Sequence, residues 1–596
     1  MKNRSSDYRL LTGLFFRLLP FQVLLIVVNA VNGIVDSLYA SNAVGETAMS
    51  AIGLFGPMNH FLYAASMMIV SGSQILYGRY LARDRKHINS VFTVNIVIAL
   101  TLSLLTSAAM ITLALTGGNK IFVSAEPDLN MLNRYMIGQS IGVPALVLGQ
   151  QLFAFLSLEN KKKLTMAATI ACFIVNGVLD HVFVVMLPWD TFGLGLSSSI
   201  ASWVFLGIMA FYYILGRSEW KFSLRSCKWH DAPDILKLGY AGALSRFVEM
   251  FRCIIVNFLV LKYVGSVGLS AFAASNSFLA VIWAVPFGMV AVARMLFSIS
   301  IGEQDRRSLV DVMKIVYTKG MLVMLAIVAL LILFAEPLTM MFYQDSTEPV
   351  YDMTVMGFRI LPLCMLPAVI SLTFASYAQT AEKKVLSVVL PVFDGAVGVV
   401  ACSFVLIPIM KMNGLYIANV LNGILCSIVI FVSALIVIRR IPKSLEDVMA
   451  IPDSFGAGED DRIDITVRTV DEVVQVSGSV IDFCHSKGID NRRSIFAGLC
   501  MEEMAGNVVT HGFSKDNKPH SVDIRVIYRD DVLIMRIRDN CRYFDPSEYL
   551  KHPKDDLSNA GIKLVYKIAD KVDYQNLLGM NVLTIEWVGK LEKGRF

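Results

Sequence analysis

The sequence predicts an all-α polytopic membrane protein of about twelve transmembrane helices in two six-helix repeats, with a C-terminal α/β sandwich attached. Three observations carry this. Of the 596 residues, 55% are hydrophobic and only 17% charged, with a mean hydropathy of +0.59. Soluble domains carry about 25% charged residues. Basic residues return at every second turn. Near Arg440 the apolar segments stop and the composition changes.

The chain opens MKNRSSDYRLLTGLFFRLLPFQVLLIVV. This apolar run outlasts a signal-peptide core and shows no small-residue cleavage site, so it is expected to remain as the first crossing. Segments near the ~20 residues that a bilayer core demands lie at 14–40, 50–78, 89–116, 130–157, 164–187 and 193–216, then at 235–263, 269–298, 312–334, 353–378, 385–409 and 414–438.

The even-numbered turns are basic: Arg83, Arg85 and Lys86; Lys161 to Lys163; Arg217, Lys221, Arg225 and Lys228; Arg306 and Arg307; Lys383 and Lys384; Arg439, Arg440 and Lys443. The other turns are neutral or acidic. By the positive-inside rule the basic turns and both termini face the cytoplasm, which predicts a multi-pass plasma (inner) membrane protein.

The crossings repeat. Ala43-Val-Gly45 stands 220 positions before Tyr263-Val-Gly265, Pro188 the same distance before Pro408. Six crossings per repeat is even, so the repeats are parallel, about 10–217 and 232–438. Such a pair of bundles rocks around a central cavity, and Pro20, Pro57, Pro144, Pro286, Pro362, Pro367 and Pro391 supply bends.

Polar groups inside apolar helices are the candidate functional residues. Asn176 and Asp180 lie at i, i+4 in the fifth segment and share one helical face. A carboxylate at the membrane centre costs about 2.5–3.5 kcal/mol or more and is normally turned to a protein-lined cavity. Asp394 stands 218 positions after Asn176, without a second acid beside it.

Asn32-Gly-Ile-Val-Asp36-Ser-Leu-Tyr-Ala-Ser-Asn-Ala-Val-Gly45, Asn176-x-x-x-Asp180 and Gly193-Leu-Gly-Leu-Ser-Ser-Ser-Ile-Ala-Ser202 together resemble the multidrug and toxic compound extrusion transporters, of a larger flippase superfamily. The resemblance spans about residues 10–440. It implies one polar pocket from Asp36, Asn176 and Asp180, with Ser202 or a nearby serine. Two acids meeting in low dielectric cannot easily both stay ionised, so the pair holds H⁺ or recruits Na⁺. The resemblance implies a cation-coupled antiporter exporting xenobiotic or amphiphilic compounds, with cationic drugs, lipid-linked sugars and other amphiphiles all among the superfamily's cargoes and a lipid-linked substrate flippase as the alternative.

Ile441 to Asp461 holds Pro, Gly and acids and reads as a linker. From 462 to 596 the chain alternates like a soluble α/β domain. Strands are expected at 463–467, 522–526, 532–537 and 581–587, helices at 471–487, 492–511 and about 558–570. On the second helix Glu503, Asn507 and His511 fall at i, i+4, i+8 on one face. Arg538-Asp539-Asn and Asn559-Ala-Gly561 follow.

That order resembles the ATP-binding fold of gyrase, Hsp90, histidine kinases and MutL (the GHKL fold), closest to its anti-sigma-factor serine-kinase branch. The resemblance implies ATP and Mg²⁺ as cofactors. Asn507 would ligate Mg²⁺ and Glu503 act as general base. Asp539 would bond the adenine amine and Gly561 admit the phosphates, with His511 beside them. Cys541 and Asn559 depart from this pattern, since the fold usually carries glycine there.

Other classes are excluded or set aside. No G-x-x-x-x-G-K-[ST] occurs, which excludes Walker-type pumping. The 9 cysteines form no C-x-x-C and read as small buried hydrophobes. A net charge of +5 gives no basis for nucleic-acid binding. The expected partners are the bilayer, a small amphiphile and a cytosolic regulatory protein. The rival expectation is a partner-switch kinase whose membrane part only senses.

Overall fold

The computed structural model describes residues 6–83, 88–121, 123, 126–159, 161–218, 220–224, 227–458, 460–513, 520–542, 544–551, 560–577 and 580–588. The expected basic residues Arg85, Lys86 and Arg225 lie outside them, as does Asn559. The chain forms two compact units. One comprises Pro20–Ala291 and Tyr317–Arg440; the other comprises Met1–Leu19, Val292–Val316 and Ile441–Phe596.

Each of the twelve expected spans falls on a helical element. By length and composition alone, seven described helices are fit to cross a membrane, or eight if Glu126–Ser140 and Val143–Leu156, bent by 48°, count as one. One of the seven, Lys384–Ile438, runs 55 residues and leaves helical geometry at Lys411 (φ 51°, ψ −128°), which separates the last two spans.

Several breaks sit at the expected prolines. The bent pair breaks just before Pro144, and Pro286 opens the helix Ala284–Gly302. Pro362 lies in a short 3₁₀ turn, and Pro391 precedes a π-turn at Phe393–Val397. Proline removes an intrahelical donor and clashes with the preceding turn. Pro20 and Pro57 instead lie inside continuous helices.

The duplication is visible in backbone geometry. Gly45 has φ 115°, ψ −169°, and Gly265, 220 positions later, has φ 100°, ψ −173°. Only glycine populates that region readily. Each glycine turns the chain into the next helix, Glu46–Arg83 or Ser266–Ile282. Those two helices also meet, through a bond from Ser270 Oγ to the Glu46 carbonyl (2.9 Å).

Glu46–Arg83 crosses Asp231–Tyr263 at backbone contact. A Cβ on Gly72 would lie 1.8 Å from the Ile235 carbonyl oxygen, and one on Gly239 would lie 1.7 Å from that of Met68. Lipid offers little hydrophobic drive for helix association, so close approach at small residues supplies it.

In the other unit, β1 (Arg462–Val467), β2 (Val522–Arg529), β3 (Val532–Asp539), β4 (Lys571–Leu577) and β5 (Met580–Val588) make one antiparallel sheet in the order β1-β2-β3-β5-β4. The edge strand β4 escaped the sequence reading because its polar run, KVDYQNL, lacks a repeating apolar face. The helices Val470–Ser486 and Asn491–Asn507 cover one sheet face. Val480, Met501 and Met504 pack there with Ile524, Met535 and Ile585. Thr469 and Glu472 form a capping box at the first helix, and Asp490 caps the second.

The opposite sheet face is charged yet buried. Arg525 and Arg538 are only 6% and 7% exposed. They receive the turn after Gly302: Arg525 pairs with Asp305 and with Asp464, and Arg538 pairs with Glu303 and lies 3.3 Å from Asp305. Arg536 donates to the Glu303 carbonyl at 2.7 Å. Asp305 also accepts from the Ser308 N–H and so caps the helix Arg306–Ile315. Burial opposes its ionisation, but the two guanidiniums outweigh it and hold the carboxyl well below the usual carboxylate range.

Two outcomes follow from this packing. Gly239→Val forces the crossing helices apart and should cost about 3 kcal/mol or more, read as loss of the monodisperse peak in fluorescence-detected gel filtration. Asp305→Asn leaves Arg525 and Arg538 buried without their shared anion, at a cost of about 3–5 kcal/mol at pH 7. The folded-state acidity is depressed, so this stabilisation is present above the ordinary carboxylate range. It is lost progressively as pH falls from that range towards the lower folded-state value. The melting difference between wild type and Asp305→Asn should therefore shrink below about pH 4.

Candidate functional site

The first cluster lies in the N-terminal half. Asp36 sits near the end of the helix Ser6–Tyr39, and Asn176 and Asp180 close the helix Lys162–Asp180. Asn176 Nδ2 donates to Asp36 Oδ1 and to Asp180 Oδ2, both at 2.7 Å. One amide thus joins two carboxylates that stand 144 positions apart in the chain. Asn176 and Asp180 are completely buried.

Hydroxyls complete the cluster. Ser198 Oγ lies 3.1 Å from Asp36 Oδ2, and Ser197 Oγ donates to the other oxygen of Asp180. Ser202, the expected serine, lies one turn further along the helix Asp190–Ile214 and donates to the Ser198 carbonyl at 2.9 Å. The serines on the acids are its neighbours in the run Gly193 to Ser202. The run itself was the legible signal; which hydroxyl faces the acids depends on helix rotation.

A π-turn follows each acid: Ala40–Val44 after Asp36 and His181–Met186 after Asp180. Such turns widen a helix and recur at functional sites. The other half has its own. Asp394 lies in the π-turn Phe393–Val397, accepting from Asn422 Nδ2 at 2.7 Å and from Ser371 Oγ at 3.1 Å. There one acid is held by an amide and a hydroxyl, and no second carboxylate joins it among the described residues.

The third group is in the sheet unit. Asp539 ends β3 and is 4% exposed. Asn581 Nδ2 donates to its Oδ1 at 2.8 Å, and the Cys541 N–H does so at 2.9 Å. Burial raises the Asp539 carboxyl above its usual range, against the pull of those donors. Asn581 also spans to the Arg542 carbonyl at 3.1 Å, holding the loop after β3 in place. Sequence reading missed its role, since an Asn opening a strand looks like a turn residue.

The helix bearing Glu503 and Asn507 ends at Asn507, one turn past Glu503, and continues as the π-turn Val508–Gly512, which contains His511. Gly512 packs on Cys541: a Cβ there would meet the sulfur at 3.1 Å. Gly561, in the helix Ala560–Ile568, lies against Glu503: a Cβ there would fall 2.0 Å from Glu503 Oε2, which would have to move. The fold therefore gathers Glu503 with Gly561, and Asp539 with Asn581, Cys541 and Gly512.

Comparison with known proteins bears on both units. The MatE family model matches residues 23–182 and 242–404, more than half of the chain. The chain belongs to the MatE family. Residues 466–587 match the histidine kinase-like ATPase domain, so this MatE protein carries an ATP-binding domain at its C-terminal end.

The MatE part is 24% identical over 392 residues to a probable multidrug resistance protein NorM of Neisseria meningitidis serogroup A, covering 63% of this chain and 82% of that one. In fold it resembles an inward-facing multidrug resistance MATE family transporter of the MOP superfamily, with a TM-score of 0.63 at 19% identity over 69% of this chain and 96% of that one. It also resembles an outward-facing form of such a transporter, with a TM-score of 0.57 at 18% identity over 74% of this chain and all of that one.

The Asp539 pocket makes one local prediction. Asn581→Ala removes a donor to a buried acid, worth about 1.5–3 kcal/mol. ATP affinity measured by calorimetry on the whole protein should fall roughly tenfold or more. An unchanged Kd would place the nucleotide elsewhere.

Proposed function

We propose that this MatE protein is an antiporter, driven by H⁺ or Na⁺, that exports amphiphilic compounds across the plasma membrane, with both termini cytoplasmic and its ATP-binding domain as regulator. The observation that carries the reading is the bridge from Asn176 to both Asp36 and Asp180. The name of the Neisseria relative, a probable multidrug resistance protein, supports export.

The chemistry follows from the geometry. Two carboxylates sharing one amide in a low-dielectric chamber repel each other when both are ionised. A proton on the pair, or a Na⁺ between them, removes that repulsion. Oxygen ligands suit such hard cations, and the hydroxyls of Ser197 and Ser198, with Ser202 one turn away, offer more. Loss of the cation leaves uncompensated charge in the N-terminal half and favours whichever conformation hydrates it. Cation release and substrate uptake are then alternatives, as exchange requires.

Regulation is supported by the clamp of Arg525 and Arg538 on Glu303 and Asp305. The clamped turn continues directly into the crossings on either side of it. In the ATP-binding domain Asp539 would accept from the adenine amine and Asn507 would hold Mg²⁺. Gly561 and His511 would border the phosphates. A second reading, phosphate transfer to a serine of a cytosolic partner, is favoured by the carboxylate of Glu503 against Gly561. Glu503 would then take the hydroxyl proton.

The test is dye efflux from proteoliposomes under a pH or Na⁺ gradient. Asp36→Asn and Asp180→Asn should each reduce it to the level of protein-free liposomes, and Ser202→Ala much less than Ser197→Ala. Efflux by Asp36→Asn at the wild-type rate would end the coupling assignment. Added ATP should change wild-type efflux, and Glu303→Gln should abolish that response while keeping basal efflux. Serine phosphorylation of a partner that Glu503→Ala stops would favour the second reading.

A further inference from the structure

The helix Asp231–Tyr263 has 33 residues, about 50 Å at 1.5 Å per residue. Arg246, Glu249 and Arg252 stand near its middle, inside the expected span 235–263. Their spacing of three puts them on neighbouring turns of one face. All three line a cavity of about 420 Å³ in the helical unit, with His60 and Asp394.

The charges of this chamber are unequally served. Arg246 Nη1 is 2.7 Å from Glu249 Oε2, and His60 Nδ1 reaches the same oxygen at 3.4 Å. Asp394 has both oxygens occupied, by Asn422 and Ser371. Among the described residues Arg252 has no ion-pair or hydrogen-bond partner. An arginine at bilayer depth is expensive unless it is paired. Its planar fork of donors matches a carboxylate or phosphate in particular. The same chamber is also lined by Trp283 and Phe287, whose ring centres are 5.6 Å apart.

We infer that this chamber binds an amphiphile whose carboxylate or phosphate pairs with Arg252 while its apolar body lies on Trp283 and Phe287. The inference rests on the transport reading and names its substrate class: the cargo carries an anionic head, not a purely cationic one. The Asp36–Asp180 pair serves the coupling cation, and Arg252 serves the cargo. The anionic head comes either from a free solute or from a phospholipid, and both present the same chemistry to the guanidinium.

Equilibrium binding to the full-length protein in phosphatidylcholine nanodiscs, without any gradient, tests this. Three probes share a dansyl fluorophore and alkyl chain and differ in the head: carboxylate, phosphate or trimethylammonium. The readout is energy transfer from tryptophan. The two anionic probes should bind saturably, roughly tenfold or more tighter than the ammonium probe. Arg252→Gln should erase that preference, and Arg252→Lys, which keeps the charge without the planar fork, should keep only part of it. In wild type alone, dodecyl phosphate should displace the anionic probes and dodecyltrimethylammonium should not, which needs no variant to fold.

A phospholipid that co-purifies with wild type and is lost from Arg252→Gln would identify the lipid phosphate as occupant. Probe binding without such a lipid would identify a free anionic solute. Tightest binding of the ammonium probe, or unchanged affinities in a folded Arg252→Gln, would overturn the inference. Intact Arg252-dependent binding without gradient-driven export would sink the coupling reading and leave this one standing.

Discussion

A charged or hydrogen-bonding group at bilayer depth must find its partner inside the protein. Water is absent there, and an unpaired carboxylate or guanidinium costs several kcal/mol. That constraint organises the helical unit. Asp36 and Asp180 are held by Asn176 and two serines, Asp394 by Asn422 and Ser371, and Glu249 by Arg246 and His60. Each polar group is turned inward, and each set lies where a helix is widened by a π-turn or faces a cavity. The apolar residues provide the crossings, and these few polar ones decide what the crossings enclose.

The two halves solve the same problem differently. Duplication put Asp394 where its counterpart has Asn176, and Asn422 and Ser371 hold it. One half therefore holds two acids around an amide, and the other holds one acid between an amide and a hydroxyl. Two acids in one pocket can exchange a cation, whereas a single acid already satisfied by two donors has less need of one. The halves share an architecture and divide the chemistry between them.

The sheet unit obeys a related rule at lower cost. Alternating charges on β2 and β3 normally mark a solvated face. Here Arg525 and Arg538 are buried against Glu303 and Asp305, residues more than 200 positions earlier in the chain. Breaking such a pair costs far more than forming it gains. The clamp is therefore better understood as a device for specificity, fixing which turn the sheet grips, than as a source of net stability.

Sequence alone determined the crossings, their duplication and the identity of the acids, because apolar length, the charge of successive turns and a carboxylate inside an apolar run are all local signals. Gly45 and Gly265 were legible as a pair for the same reason, and their shared backbone angles follow. Tertiary structure decided what depends on orientation. Ser197 and Ser198 reach the acids because helix rotation aims them there, while Ser202 faces its own backbone. Asn581 holds Asp539 only once β5 lies beside β3, and Arg525 is buried only once a distant turn covers it. Arg252 stands in the expected span 235–263, but that it has no ion-pair or hydrogen-bond partner among the described residues is a fact of three-dimensional distance, which no pattern along the chain encodes.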